Sequence, residues 1–175
     1  MATVWKAPNQ IIDHLEEIRN KAHLPRLQDV PVAVALSDGK AFIKNRLNLG
    51  KVQKFSDFNK IWQKDSHDFC ITLVMDVWES ILNNNQRDAL LDLHLTRIEP
   101  VYEPEIIIEN GKKIIVKDDM GRTKMTENIK LDKDGNPKWN VLPIDLVVIT
   151  RSIRRYGFWF DDLVELQKAV VATQA

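Results

Sequence analysis

The stretch Asp88-Ala-Leu-Leu-Asp-Leu-His-Leu-Thr-Arg97 decides how the rest of this chain is read. Leu90, Leu91, Leu95 and Ile98 recur at helical spacing, which predicts a helix from Gln86 to about Ile98 that stops before Pro100. Its apolar stripe marks it as part of the core. The unusual letters are His94 and Arg97: a His in the middle of a helix has the cadence of a metal-binding helix, yet four residues on stands Ile98, which is no metal donor.

Working outward, Phe69-Cys-Ile-Thr-Leu-Val-Met75 is a nearly continuous apolar run of strand length and is predicted to be a central strand. Asp76 to Leu82 follows as a short helical turn with Asp76 as its N-cap, broken by Asn83-Asn-Asn85. Upstream, Ile11, Ile12, Leu15 and Ile18 give an amphipathic helix from Pro8 to about Lys21, with His14 and His23 as surface or half-buried histidines. Val30 to Leu36 reads as a strand closed by Ser37-Asp-Gly39, a second extended segment runs from Lys51 to Phe55, and Phe58, Ile61 and Trp62 sit at helical spacing.

Downstream, Glu105 to Lys117 is a β-hairpin with Asn110-Gly111 at its turn. Residues 118–138 are polar and turn-rich and are expected to form a mobile loop. Pro143 to Tyr156 is predicted to be a helix stopped by Gly157, and Phe158-Trp159-Phe160 anchors a last helix from Asp161 to about Val171. No repeat or linker divides the chain. Residues 1–175 are therefore expected to form one α+β domain, a small and mostly antiparallel sheet packed against helices, with a protruding hairpin arm over 105–138.

Lys+Arg and Asp+Glu number 25 each, so the formal net charge is zero. That balance argues against binding nucleic acid mainly by phosphate neutralisation. The one cysteine, Cys70, excludes an intrachain disulfide and a Cys-based zinc site, and its apolar surroundings make it a small buried hydrophobe. No basic-then-apolar leader and no run of membrane-spanning length is present, so the expected location is the cytoplasm, with no membrane partner. The glycines are scattered rather than gathered into a phosphate loop, and Ser80, Ser152 and Cys70 sit on no nucleophile turn. Asp65, His67 and Asp68 read as strand-edge polar residues.

In zinc peptidases of the HExxH kind, two His four residues apart on one helix face hold the ion, and the Glu beside the first activates the bound water. From about residue 23 to 165 the order of features resembles a zincin-like metallopeptidase family widespread in phages. The matching pieces are His67 to Trp78, Gln86-Arg-Asp-Ala-Leu-Leu-Asp92, Asp134-Gly-Asn-Pro-Lys-Trp139, and Ile144-Asp-Leu146 followed by Arg154-Arg-Tyr-Gly-Phe-Trp159. The family pattern reads Ala-Leu-Leu-Asp-His-Glu-Leu-Cys-His, with a later His-Asp ahead of Arg-Tyr-Gly-Leu-Trp.

Laid on that pattern, Leu93 stands at the first zinc His, His94 at the catalytic Glu, Arg97 at the second His and Ile144 at the third ligand. Leu93 and Ile144 have no lone pair, and a protonated Arg97 repels a cation. Moving the register by one makes His94 a ligand but puts Leu95 at the base and Ile98 at the second His. The expectation is a vestigial pocket of Leu93, His94, Arg97, Ile144 and Asp145 with no cofactor. Leu93 and Ile144 would extend the core, His94 would face solvent, and Arg97 would pair with Asp145.

The resemblance then implies a catalytically inactive, phage-derived protein that binds a host protein or complex as an inhibitor or adaptor, for instance one engaged in defence or DNA processing. Two alternatives stand beside it. One is a nucleic-acid-binding module using Lys40, Lys44, Arg46, Lys51 and Lys54 with Arg151, Arg154, Arg155 and Tyr156. The other is a metal-dependent hydrolase with a relocated site built from His94 and a carboxylate such as Asp92 or Glu99.

Overall fold

The structure, a computed structural model, describes residues 2–21, 23–56, 67–160, 163–165 and 168. The turn expected at Phe58, Ile61 and Trp62, Asp65, and most of the last helix lie outside the described residues. By internal contacts the chain divides into two compact units, residues 1–97 with 141–175, and residues 98–140.

The first unit runs through β1 (Val4–Lys6), α1 (Asn9–Arg19), β2 (Val32–Ser37), β3 (Phe42–Ile43), β4 (Arg46–Leu47), β5 (Lys51–Lys54), β6 (Phe69–Val74) and α2 (Asn84–Thr96). Four of the strands form one sheet in the order β1-β2-β6-β5. As its nearly continuous apolar sequence predicts, β6 is interior and buried at every position, parallel to β2 and antiparallel to β5. The remaining pairing of this sheet, β1 with β2, and the β3–β4 hairpin are antiparallel. Helix α1 turns Ile11, Leu15 and Ile18 inward, the i, i+4, i+7 spacing of its sequence. Burial pushes the Cys70 thiol above its ordinary value, as befits a packing residue.

Between β4 and β5 the backbone passes close over β6 at Gly50. Gly50 has φ +75°, and a Cβ there would lie 2.1 Å from the Thr72 carbonyl oxygen. Only glycine fits. This crossing fixes Leu49, whose carbonyl is used by the site described below.

Helix α2 begins at Asn84, two residues earlier than predicted. Asn83, read as part of a break, is its N-cap: Asn83 Oδ1 accepts from the Gln86 N–H at 3.0 Å while Gln86 Oε1 accepts from the Asn83 N–H at 3.0 Å. Asn is a poor helix former and a strong cap, and here the second property wins. The helix also ends sooner, at Thr96, because Ile98 joins a strand. Just before it, Val77–Ile81 forms a single π-helical turn, and Asp76 makes no side-chain cap bond. Arg87 of α2 instead serves this turn, donating Nε to Trp78 O at 2.7 Å and Nη2 to Glu79 O at 3.1 Å.

The second unit is a set of antiparallel pairs. It comprises β7 (Ile98–Pro100), β8 (Tyr102–Pro104), β9 (Ile106–Glu109), β10 (Lys112–Ile115), β11 (Met125–Ile129) and β12 (Trp139–Val141, its last residue in the first unit). The predicted hairpin is β9–β10, with Asn110 and Gly111 both at positive φ as a two-residue turn requires. The segment 118–138, read as an exposed turn-rich loop, is exposed and turn-rich and also carries a strand, β11. β11 pairs with β8, and Asp118 and Asp132 each fold a turn around one carboxylate oxygen. Asp118 Oδ1 accepts from the Met120 and Arg122 N–H groups, and Asp132 Oδ1 from those of Asp134 and Asn136, at 2.8–2.9 Å. Polar turn residues here supply local acceptors, so polarity does not mean absence of order.

Back in the first unit, α3 (Leu146–Tyr156) starts three residues later than predicted. Asp145 caps it, its Oδ1 accepting from the Val148 N–H at 3.0 Å, and Gly157 at φ +71° stops it. Trp159 is buried and gives its indole N–H to Ser152 Oγ at 2.8 Å. Among the described residues no helix is long and apolar enough to cross a membrane.

Gly50→Ala is expected to cost about 1–3 kcal/mol from backbone conformation alone, and more from the collision with Thr72. Chemical denaturation should show a clear fall in midpoint, whereas Gly111→Ala, in open space at φ +74°, should lose only the conformational part.

Candidate functional site

Helix α2 is buried on all sides from Ala89 to Thr96, with α1 and α3 packed against it. Three polar residues go inside with it: Asp92, His94 and Thr96. Each must find a partner, because an unpaired buried polar group costs about 1–3 kcal/mol or more. Their partners divide the helix into two polar faces.

The first face is the stripe Asp88, Asp92, Thr96, at i, i+4 and i+8. Asp92, with no exposed surface, accepts Arg155 Nε at 2.8 Å on one carboxylate oxygen and a short hydrogen bond from His23 Nε2 on the other. Arg155 Nη2 also donates to Thr96 Oγ1 at 2.8 Å. One turn earlier, Asp88 takes His14 Nε2 at 2.6 Å and Lys21 Nζ at 3.3 Å. Lys21 also reaches the Tyr156 hydroxyl at 3.4 Å and lies over its ring. Burial, with the nearby Asp92 charge, pushes the Tyr156 phenol above its ordinary value.

The second face carries His94 and Arg97. His94 is fully buried and its Nε2–H donates to Leu49 O at 2.7 Å. That leaves Nδ1 as an acceptor, 3.5 Å from Arg97 Nη1. Arg97 donates Nε to Leu142 O at 2.7 Å, and its own carbonyl accepts from the Leu142 N–H at 2.8 Å. Burial, with the Arg97 charge in the same direction, pushes His94 down to about 4, against the opposing effect of its bond to Leu49. At neutral pH His94 is therefore an uncharged imidazole with both nitrogens engaged.

Several expectations change. His94 does not face solvent, because α2 has no solvent face at that level. Ile144 does not extend the core: it is 41% exposed, while Leu93 is buried as expected. Arg97 is held by Leu142 O and His94 rather than by Asp145, which caps α3. Arg155 is committed to Asp92 and so does not belong to an open basic surface. Lys44, Arg46 and Lys51 are exposed on the β3–β5 side, Arg154 is exposed on α3, and Arg151 and Tyr156 are half-buried. His14, Lys21, His23 and Asp88 had no place in the sequence-derived pocket.

Residues 4–173 match the sequence model of the family described as "Putative phage metallopeptidase". The chain belongs to this family. No curated protein and no solved structure matches it significantly. A metallopeptidase calls for a zinc ion, and the residues that the resemblance lays on the ligand positions do not have the chemistry to hold one. Leu93 is buried hydrocarbon, Ile144 is exposed hydrocarbon, and Arg97 is a cation. His94, the one donor in the group, has Nε2 on a backbone carbonyl and Nδ1 toward the Arg97 guanidinium. Among the described residues no group of three or more His, Cys, Asp or Glu side chains is arranged to hold a metal. A relocated site from His94 and Asp92 meets a further obstacle: two residues apart on a helix they point in nearly opposite directions.

Breaking the Asp92 cluster should be costly. Arg155→Met is expected to destabilise the fold by about 3 kcal/mol, the low end for a broken buried ion pair because His23 keeps the other oxygen. Urea unfolding of this variant beside Arg154→Met, which should change little, checks the difference.

His94 gives a pH signature. Its folded value of about 4 lies below the ordinary 6.5, so the unfolded chain binds the extra proton first and stability falls as pH drops from 6.5 toward 4. The loss is on the order of 3 kcal/mol at 1.36 kcal/mol per pH unit. His94→Gln, which keeps a donor for Leu49 O and cannot titrate, should flatten this part of the stability profile measured by denaturant titration across that range.

Proposed function

We propose that this member of the phage metallopeptidase family no longer cleaves peptides and acts by binding a protein or protein complex of the host cell, as an inhibitor or adaptor. The observation that carries the reading is the closed hydrogen-bond set at the family's catalytic positions. His94 stands where the catalytic Glu belongs, fully buried and bonded to Leu49 O, and Arg97 stands where a zinc His belongs, bonded to Leu142 O. A water-activating base needs an unengaged lone pair and an ion needs converging donors. These side chains hold the backbone of their own fold instead.

The nucleic-acid reading is weakened by the same packing. Arg155, one of the three arginines it requires on α3, forms a structural pair with Asp92. The basic residues of β3–β5 remain exposed, but the neutral total charge gives no general attraction to phosphate.

Elemental analysis of protein purified without chelator should find far less than one zinc per chain, and thermal melts with and without EDTA should superimpose. About one zinc per chain, together with a melting temperature lowered by EDTA, would return the chain to the active members of its family.

A further inference from the structure

Resting on the binding role above, we propose that the β9–β10 hairpin is the docking surface, and that it takes an extended segment of a partner protein carrying apolar residues interspersed with acidic ones. Five isoleucines of this hairpin are solvent-exposed: Ile106, Ile107, Ile108, Ile114 and Ile115. Ile108 is the extreme at 75% exposed. The register pairs Ile106 with Ile115 and Ile107 with Ile114, so each face of the ribbon presents a cross-strand isoleucine pair. None of the five is buried in a core within the unit of residues 98–140. Contiguous exposed apolar surface of this kind marks an interaction site, and an isolated two-stranded ribbon gains stability when something covers it.

The backbone gives the partner a place to pair. The Val116 N–H donates to Glu105 O at 2.9 Å, so by antiparallel alternation Lys113 and Ile115 direct their N–H and C=O groups away from β9. The ribbon has two strands among the described residues, leaving the outer edge of β10 open from Lys112 to Ile115. A strand added there would gain main-chain hydrogen bonds and set its side chains against the isoleucines.

Charge selects among occupants. β10 and its extension carry Lys112, Lys113 and Lys117, and no ion pair engages any of them among the described residues, whereas Glu105 of the opposite strand is already paired with Lys124 at 3.0 Å. A second copy pairing its own Lys112–Ile115 with this edge would bring further lysines and no carboxylate to it. A nucleic acid would find the lysines but no aromatic side chain from Ile106 to Lys117 on which a base could stack. A lipid bilayer entered tip-first would have to strip water from Glu109 and Lys112 at the turn. An acidic, apolar strand satisfies the isoleucines, the lysines and the open edge together.

The test is fluorescence anisotropy with a short labelled peptide alternating valine and glutamate, beside its valine and lysine counterpart, on the full chain. The glutamate peptide should bind and the lysine peptide should bind at least about tenfold more weakly. Ile108→Ser with Ile115→Ser should abolish binding, and Lys113→Glu should reverse the preference, with melting temperatures within a few degrees of the parent because these side chains are exposed. Equal binding of the two peptides, no binding, or binding indifferent to these substitutions overturns the proposal. So does sedimentation of the parent chain as a dimer that Ile108→Ser with Ile115→Ser dissociates, or hairpin-dependent uptake onto phosphatidylglycerol vesicles or single-stranded DNA without peptide binding. The zinc measurement is independent of all of these: a zinc-free chain that ignores the peptide overturns the surface and leaves the loss of catalysis standing.

Discussion

A carboxylate with no access to water sits at the centre of this fold, and the arrangement of three separate segments follows from the need to compensate it. Asp92 is carried into the interior by α2, and its charge is met by Arg155 from α3 and by His23 from the connection between α1 and β2. Removing an ion from water costs several kcal/mol even after relaxation, so Asp92 is tolerable only when both partners are in place. The pairing therefore works less as a source of net stability than as a condition on geometry. Structures in which α3 or the His23 segment docks elsewhere leave one Asp92 oxygen without its partner.

The second polar face of α2 operates by the same rule with a different result. His94 and Arg97 use Leu49 O and Leu142 O, carbonyls that belong to no helix and would otherwise need water. In this way the helix end is tied to the crossing at Gly50 on one side and to the chain entering α3 on the other. A zinc site would bring distant segments together by shared coordination. Here the histidine and the arginine link them by hydrogen bonds to backbone, and the neutral state of His94 is part of that link, since a second positive charge beside Arg97 inside the core would push the two apart.

How much of this the sequence displays depends on whether a signal is local. The buried strand at Phe69–Val74, the Asn110-Gly111 hairpin and the helix around Leu90 are legible because periodicity and turn chemistry act over a few residues. The stripe Asp88, Asp92, Thr96 is also legible as a helical spacing, but its partners His23 and Arg155 lie more than 60 residues away on either side and share no pattern with it. His94 misleads for a physical reason: an amphipathic reading assumes a helix with a wet face, and α2 has none between Ala89 and Thr96. A lone polar residue in such a helix signals a buried hydrogen bond. In the 118–138 segment the turns around Asp118 and Asp132 are legible, while β11 between them is not, because its short polar sequence carries no alternation.

The two units differ in what they leave unsatisfied, and that difference bears on function. In the first unit the polar groups of His94 and Arg97 have protein partners within α2 and the backbone around it. In the unit of residues 98–140 the open features are of another kind: isoleucine side chains in water, lysines that form no ion pair among the described residues, and a strand edge with no neighbour among them. Chemistry needs unsatisfied polar groups held rigidly in a desolvated pocket, whereas association needs apolar area and open backbone at the surface. The closed polar set in the first unit and the open apolar ribbon in the second are the two features that the proposed binding role has to account for. Both follow if the chain is maintained for a protein it binds.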